Sequence, residues 1–248
     1  MSDSQDTVTD HDKVFFYGSL TDLPDNVIHT LTNDSVVFGC SDDGLKVLLV
    51  RHSEGDSAGE WALPGGWVRY NESVEQSAAR LLNNLTGLED IFLEQLHVFS
   101  SVNRLPHRRV ITAAFYALVR PNDHAIAAGY STNDVQWVPV SNLPNLIYDH
   151  ADIIQTAVKR LRHKVRHEPI GFNLLNRKFT LLQLQELYEA ILGVTLDKPN
   201  FRRKMLKMNL LKQCNEKQQG VSHRAANLYE FDEDVYSKLT EQGFSFDV

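Results

Sequence analysis

Residues 66–88 read GWVRYNESVEQSAARLLNNLTGL, and this stretch decides which fold the sequence predicts. Asn71 is a residue type that can cap a helix, and Gly87 is the type that most often ends one. Between them, apolar residues recur three and four positions apart, as on one face of a helix, at Val74, Ala78, Leu81, Leu82 and Leu85. The stretch therefore predicts a loop followed by a helix from Glu72 to Leu85.

The sequence on both sides of this helix is rich in β-branched and aromatic residues. An Asp-Asp-Gly turn at 42–44 joins the first two runs as a hairpin, and Pro-Gly-Gly interrupts the third. The predicted strands are Asp34–Gly39, Lys46–Val50, Trp61–Val68, Glu94–Ser100, Val110–Val119 and Val135–Pro139. An amphipathic helix from Asp149 to Arg166 follows them. Mixed strands with two helices predict an α/β/α sandwich.

A second pattern begins after Glu168-Pro169-Ile170-Gly171. Thr180 can cap a helix over Leu181–Leu192 that Gly193 ends, and a short basic helix over Asn200–Met208 comes next. Two strands, Leu210–Gln213 and Ala226–Phe231, then enclose a polar loop. This is the order of a winged helix-turn-helix. We expect a disordered or loosely packed segment over 1–26, the α/β domain over 27–167 and the winged-helix domain over 168–248.

The net charge of −7 is unevenly distributed along the chain. Residues 1–165 hold 13 Lys and Arg against 21 Asp and Glu, whereas residues 166–248 hold 12 against 11. Between Lys198 and Arg224 there are eight basic residues and one acidic residue, Glu216. Such a local excess of positive charge is typical of a surface that binds phosphates, although a solvated basic face is the alternative.

Composition excludes several other classes of protein. No apolar run approaches the length of about 18 residues that a bilayer-spanning helix needs. The polar, acidic start from Met1 to Asp12 is not a signal peptide. The two cysteines, Cys40 and Cys214, are expected to be unpaired thiols in a cytoplasmic protein. They are too few for a Cys-rich zinc module, and we expect no cofactor.

Residues 66–88 resemble the Nudix box, G-x5-E-x7-R-E-U-x-E-E-x-G-U with U aliphatic. Gly66, Glu72, Arg80 and Gly87 fit the pattern in register, as do Leu82 and Leu88. The resemblance implies helical glutamates that hold Mg²⁺ or Mn²⁺, but Leu81, Asn84 and Leu85 stand at those positions. Glu72 and Glu75 alone could hold only a weak metal. We therefore predict structural roles for Glu72 and Arg80, no catalytic residue, no metal and no hydrolysis.

Across both domains the chain resembles the Nudix-related bacterial transcriptional regulators, of the NrtR type and the sugar-responsive AraR type. The most telling segments are Pro169–Leu175, Phe179–Gly193, Asn200–Lys204 and Arg224–Tyr229. The resemblance implies a homodimer on a palindromic double-stranded DNA operator. On the basic helix, Phe201, Met205 and Met208 can face the core while the cations face outward, where arginine can read guanine. The DNA-binding candidates are Thr180, Gln183, Lys198, Asn200, Arg202, Arg203, Lys204, Lys207, His223 and Arg224.

If the first domain senses a small effector, its pocket should lie where Nudix hydrolases hold substrate. Tryptophan offers a stacking surface there, and a basic loop suits phosphates or hydroxyl groups. The effector-binding candidates are Arg51, Trp61, Trp67, Arg104, His107 and Arg109, with His52 and Arg108 beside them. In the family the effectors include sugars such as arabinose and ADP-ribose-type nucleotides. The segment Ile170–Leu175 looks closer to the sugar-responsive branch, which favours a sugar over a nucleotide.

Three functions therefore remain open from the sequence. The first is an effector-responsive, DNA-binding transcriptional regulator. The second is a Mg²⁺-dependent Nudix pyrophosphatase acting on a nucleoside diphosphate derivative, supported in the box by Glu72 and Glu75. The third is a protein-interaction module with neither activity.

Overall fold

The structure is a computed structural model that describes residues 30–41, 44–53, 58–106, 108–129, 132–220 and 225–247. The predicted segment 1–26 lies outside these residues. In the first domain the strands are β1 (Leu31–Ser41), β2 (Gly44–His52), β3 (Trp61–Ala62), β4 (Gly65–Trp67), β5 (Glu94–Phe99), β6 (Ile111–Val119) and β7 (Thr132–Pro139), and the helices are α1 (Val74–Thr86) and α2 (His150–His167).

The seven strands form one sheet in the order β3-β2-β1-β6-β5, with β4 paired to β1 and β7 paired to β2. β1 and β6 are parallel, and the other pairs are antiparallel. Alternate residues of β1 face opposite sides of the sheet, as strand geometry requires. Val37 packs with Leu82 of α1, whereas Val36 and Phe38 belong to the cluster that contains Ile154 of α2. The predicted α/β/α sandwich is confirmed.

The second domain contains α3 (Leu181–Leu192), α4 (Lys198–Lys207), the hairpin β8 (Leu211–Lys217) and β9 (Asn227–Phe231), and α5 (Glu233–Glu241). A 3-10 helix over Pro169–Leu174 joins it to α2. Phe179 and Tyr229 exchange two backbone hydrogen bonds of 3.0 and 2.8 Å, which attach the hairpin to the start of α3. One buried cluster runs from the sheet through α2 to α3 and α4, so the two domains share a core.

The helix starts and ends correct two details of the sequence prediction. Ser73 caps α1 in place of Asn71, because Ser73 and Gln76 form a capping box in which each side chain accepts the other residue's backbone N–H. The basic helix begins at Lys198 instead of Asn200, because the Asp197 carboxylate accepts the Asn200 N–H and Pro199 is tolerated in a first turn. Gly87 and Gly193 end α1 and α3 in the left-handed conformation, as predicted. No helix within the described ranges is both long and apolar enough to cross a membrane.

Candidate functional site

The helix face that the box pattern assigns to metal-binding glutamates is largely apolar. Leu85 is 8% exposed and packs with Val50 and Ala62. Leu81 is half-buried and lies against the backbone of Gly66, where an added Cβ would be 3.0 Å from a Leu81 methyl carbon. Asn84 is exposed. Two of the three side chains therefore fill space between the helix and the sheet, which is a packing role.

The two charged residues that the box retains pair with each other. The Arg80 guanidinium donates to both oxygens of the Glu72 carboxylate, at 2.7 Å and 2.5 Å, and to the Trp67 carbonyl at 3.1 Å. Glu72 also accepts the Arg69 N–H at 2.8 Å. The hydrogen bond from Arg80 is the main reason why the pKa of Glu72 falls to about 2. This bidentate pair fastens the loop after β4 to α1, the structural role that the sequence predicts.

The side chains of residues 66–88 do not form a binding site for the divalent cation that the Nudix box pattern implies. Glu72 is already bound by Arg80, and the carboxylate of Glu75 accepts a hydrogen bond of 2.7 Å from the Ser73 hydroxyl. Leucine offers no oxygen ligand, whereas Mg²⁺ requires several at close to octahedral geometry. No group of three or more His, Cys, Asp or Glu side chains suited to a metal occurs in the part of the chain that the structure describes.

Because its folded-state pKa is depressed, Glu72 should stay ionised well below pH 4.5 and protonate only near pH 2. The stability that the pair with Arg80 contributes is therefore fully present above about pH 4.5 and is lost as the pH falls towards 2. In an NMR titration of the side-chain carboxyl carbon, we expect the Arg80→Gln variant to move the midpoint of Glu72 upward by one unit or more. An unchanged midpoint in that variant would show that Arg80 does not hold the carboxylate.

Three effector candidates lie on neighbouring strands of the sheet: Arg51 on β2, Trp61 on β3 and Trp67 on β4. Trp67 is 47% exposed, and the Arg108 guanidinium sits 5.7 Å from the centre of its ring. Arg51 is exposed and donates to the Gly59 carbonyl at 2.7 Å. Trp61 is half-buried against the core. Among these residues, the Trp67–Arg108 pair offers the most open stacking surface.

Of the remaining effector candidates, Arg109 and His107 belong to the segment between β5 and β6, and His52 lies at the end of β2. Arg109 donates from Nη1 to the carbonyls of Ser100 and Ser101, at 2.8 and 2.9 Å. Half-buried His52, at the end of β2, has a pKa lowered mainly by burial and also by His150. His107 lies outside the described residues.

Arg104 corrects the sequence prediction, because it is not free to bind an effector. Its side chain is 2% exposed, and it donates to both oxygens of Asp149, at 2.9 and 2.8 Å. A second carboxylate, Asp34, lies 3.5 Å away and also accepts from the Thr112 hydroxyl at 2.7 Å. Buried charges are stable only when they are paired in this way. Arg104 therefore clamps the β5–β6 loop to β1 and to the start of α2.

His150 completes this buried cluster. Its Nδ1 accepts the Leu63 N–H at 2.9 Å, which leaves the proton of the neutral ring on Nε2, 3.5 Å from Asp34. Burial lowers the pKa of His150, so the ring stays neutral at physiological pH. An added Cβ on Gly65 would lie 2.3 Å from the Asp34 carboxylate, which explains the glycine at that position. The sequence does not single out these partners, because they come from four separate segments, around positions 34, 63–65, 104–112 and 149–150, that share no motif.

The basic helix α4 presents its cations as predicted. Phe201 and Met205 are buried and Met208 is half-buried, and the opposite side exposes Lys198, Arg202, Arg203, Lys204 and Lys207. Arg203 donates to the Asn200 side-chain oxygen, which preorganises the guanidinium on the first turn. Lys204 lies 3.2 Å from the Asp247 carboxylate, an exposed pair of little energetic weight. The helix thus offers a solvent-facing row of positive charge.

Two other DNA-binding candidates have structural roles at the start of α3. Thr180 is 2% exposed, and its hydroxyl accepts the Gln183 N–H at 3.1 Å. The Gln183 side chain returns the bond by accepting the Thr180 N–H at 2.8 Å. Burial removes Thr180 from the candidate DNA contacts, whereas Gln183 is exposed and stays a candidate. His223 and Arg224 lie outside the described residues.

Comparisons with known proteins agree with the two-domain architecture. A NUDIX domain profile matches residues 31–159, and a profile described as the NrtR DNA-binding winged helix domain matches residues 171–231. The chain is 30% identical over 205 residues to the "ADPR responsive transcriptional repressor NtrR" of Acinetobacter baylyi, covering 81% of each chain. It is also 33% identical over 119 residues, 48% of this chain and 69% of the relative, to an ADP-ribose pyrophosphatase of Methanocaldococcus jannaschii.

A solved structure resembles both domains together. The crystal structure of Shewanella oneidensis NrtR complexed with a 27mer DNA matches with a TM-score of 0.66 and 30% sequence identity. The match covers 87% of this chain and 97% of that one. The likeness therefore includes the connection between the domains as well as each domain by itself.

Proposed function

Since the chain belongs to the NrtR-type regulators, which join a Nudix domain to a C-terminal winged helix domain, we propose that it is a transcription regulator controlled by ADP-ribose. One observation carries the proposal. The same chain combines α1, which lacks the glutamates of the Nudix box at positions 81, 84 and 85, with α4, which exposes a row of cations. A Nudix domain that keeps its shape but not its metal ligands is suited to bind a diphosphate without cleaving it. In this proposal, effector binding to the Nudix domain changes the affinity of the winged helix for its DNA operator.

In this proposal α4 enters the major groove, as the second helix of a helix-turn-helix does. Arg202 and Arg203 read base edges, while Lys198, Lys204 and Lys207 contact phosphates. The wing is the connection between β8 and β9. We propose that its residues His223 and Arg224 contact phosphates of the DNA beside the bases that α4 reads. We further propose that the protein is a homodimer and that its operator is palindromic. We also propose that the boundary between the two domains lies between residues 167 and 168.

ADP-ribose is proposed as the effector because the Acinetobacter relative is described as responsive to it. Its adenine could stack on Trp67, and its diphosphate could meet Arg108, since an exposed ring with a cation beside it suits an anionic nucleotide. This proposal replaces the sugar that the sequence favoured. Beyond Glu72 and Glu75, the pyrophosphatase alternative is supported by the archaeal relative, which is similar over 48% of this chain.

The test measures fluorescence anisotropy of labelled DNA from upstream of the protein's own gene. We expect ADP-ribose to weaken binding by about 5- to 150-fold, the usual range for allosteric coupling, and AMP, ribose 5-phosphate and arabinose to have little effect. In parallel, chromatography of ADP-ribose incubated with protein and Mg²⁺ should show no AMP. Release by arabinose alone would move the assignment to a sugar. Turnover to AMP that Glu72→Gln abolishes would establish a pyrophosphatase.

A further inference from the structure

The C-terminal half of α2 carries more positive charge than the winged-helix function accounts for. Residues 159–167 read KRLRHKVRH, with five Lys or Arg, two His and no acidic residue, in a chain of net charge −7. The helix dipole stabilises cations in the last turn of a helix, where Lys164, Arg166 and His167 lie, but it assigns them no partner. The dipole effect fades within one turn, so it does not explain Lys159.

The cations of α2 lie on two different sides of the helix. On one side, Lys164 forms an ion pair with Glu94 of β5, and the charge of Arg160 helps to lower the pKa of the same carboxyl. On the other side, Arg162 faces the end of α3. Its Nε donates to the Ile191 carbonyl at 3.1 Å, and its guanidinium lies 2.7 Å from where a Cβ of Gly193 would be.

Lys159 and Arg166 lie one helical turn before and after Arg162, so they share its side of α2. Both are exposed, and neither forms an ion pair with any residue that the structure describes. The segment that Arg162 touches leads directly into the turn at 194–197, after which α4 begins at Lys198. In a helix-turn-helix the first helix, here α3, crosses the DNA backbone. Lys159 and Arg166 are thus two exposed cations on the side of α2 that faces the end of α3.

We propose that Lys159 and Arg166 form a second DNA-binding surface, which contacts phosphates flanking the bases that α4 reads. The inference rests on the proposed function, because it needs the winged helix on DNA. It places part of the DNA contact on the effector-sensing domain itself. The surface adds affinity without sequence preference, since phosphates carry no base identity.

The experiment measures operator affinity from about 50 to 200 mM salt for the full chain. Each phosphate contact contributes about 0.9 to the slope of log K against log salt concentration. We expect the double variant Lys159→Gln, Arg166→Gln to lower that slope by about 1.8 per bound chain and to weaken binding on the order of tenfold at low salt. The matched control removes the same charge elsewhere, with Arg160→Gln and Arg69→Gln.

Three outcomes decide the inference. The inference is supported if the salt slope falls in the double variant and not in the control. The fall should be seen on a long duplex but not on one trimmed to the footprint of α4. An unchanged slope, or an equal fall in the control, overturns it while leaving the winged-helix function intact. If the unmodified protein binds no DNA, the proposed function and this inference fail together. Unchanged melting curves would exclude a loss of folding, because all four side chains are exposed.

Discussion

Replacing Arg202 and Arg203 together with alanine should abolish operator binding. Both guanidinium groups are exposed on α4, and Arg203 is held by the Asn200 side chain. An arginine bound to a guanine contributes about 1–3 kcal/mol of discrimination, so losing two per chain should weaken specific binding on the order of 100-fold or more. Electrophoretic mobility shift or anisotropy with the operator measures the loss.

The matched control for this prediction is Arg69→Ala with Arg160→Ala, which removes two charges from exposed positions outside α4. It should retain operator affinity within about threefold, because charges far from the contact act only through the screened field of the whole protein. If the α4 variant binds the operator as tightly as this control does, α4 is not the recognition helix.

Replacing Arg104 with alanine should strongly destabilise the first domain. The change would leave the carboxylates of Asp34 and Asp149 in the buried cluster without their cation, next to a neutral His150. Breaking a buried ion pair from one side costs about 3–5 kcal/mol. For a chain of this size the melting temperature should fall by about 10 °C, as measured by circular dichroism or calorimetry.

Arg109→Ala is the control for Arg104, since it removes an arginine from the same loop. Arg109 donates only to carbonyls at the exposed residues Ser100 and Ser101, where water can replace it. Its loss should therefore cost about 1 kcal/mol or less. Equal melting temperatures for the two variants would contradict a clamp at Arg104.

The helices could be predicted from the sequence because their signals are local. Thr180 and Gly193 mark the two ends of α3, and the capping side chain and the left-handed glycine are found there. The start of α1 was missed by two residues, because Asn71 and Ser73 are both good caps and only Ser73 has a glutamine three positions on.

The role of Arg104 could not be predicted, because its two partners come from distant segments. Asp34 lies on β1 and Asp149 just before α2, and only the folded sheet brings them to Arg104. From the sequence alone, an arginine in a basic loop looks like a ligand contact. Pairing with distant carboxylates changes it to a structural element.

α5 was missed for a different reason. Val235, Tyr236 and Leu239 have helical spacing, but the nine residues Glu233–Glu241 are fewer than the window of about 11–18 in which a helical period is recognised. Asp232 caps this helix by accepting the Val235 N–H. Phe246, beyond this helix, is buried in the shared core, so the C-terminal segment is part of the folded domain.

The packing of Leu85 also bears on how this lineage can evolve. A single change of Leu85 to glutamate would place a carboxylate among the apolar side chains of Val50 and Ala62. The intermediate would thus lose stability before any catalytic benefit could be selected, because binding Mg²⁺ needs several oxygen ligands at once. A metal site on this helix could therefore be built only through several coordinated substitutions.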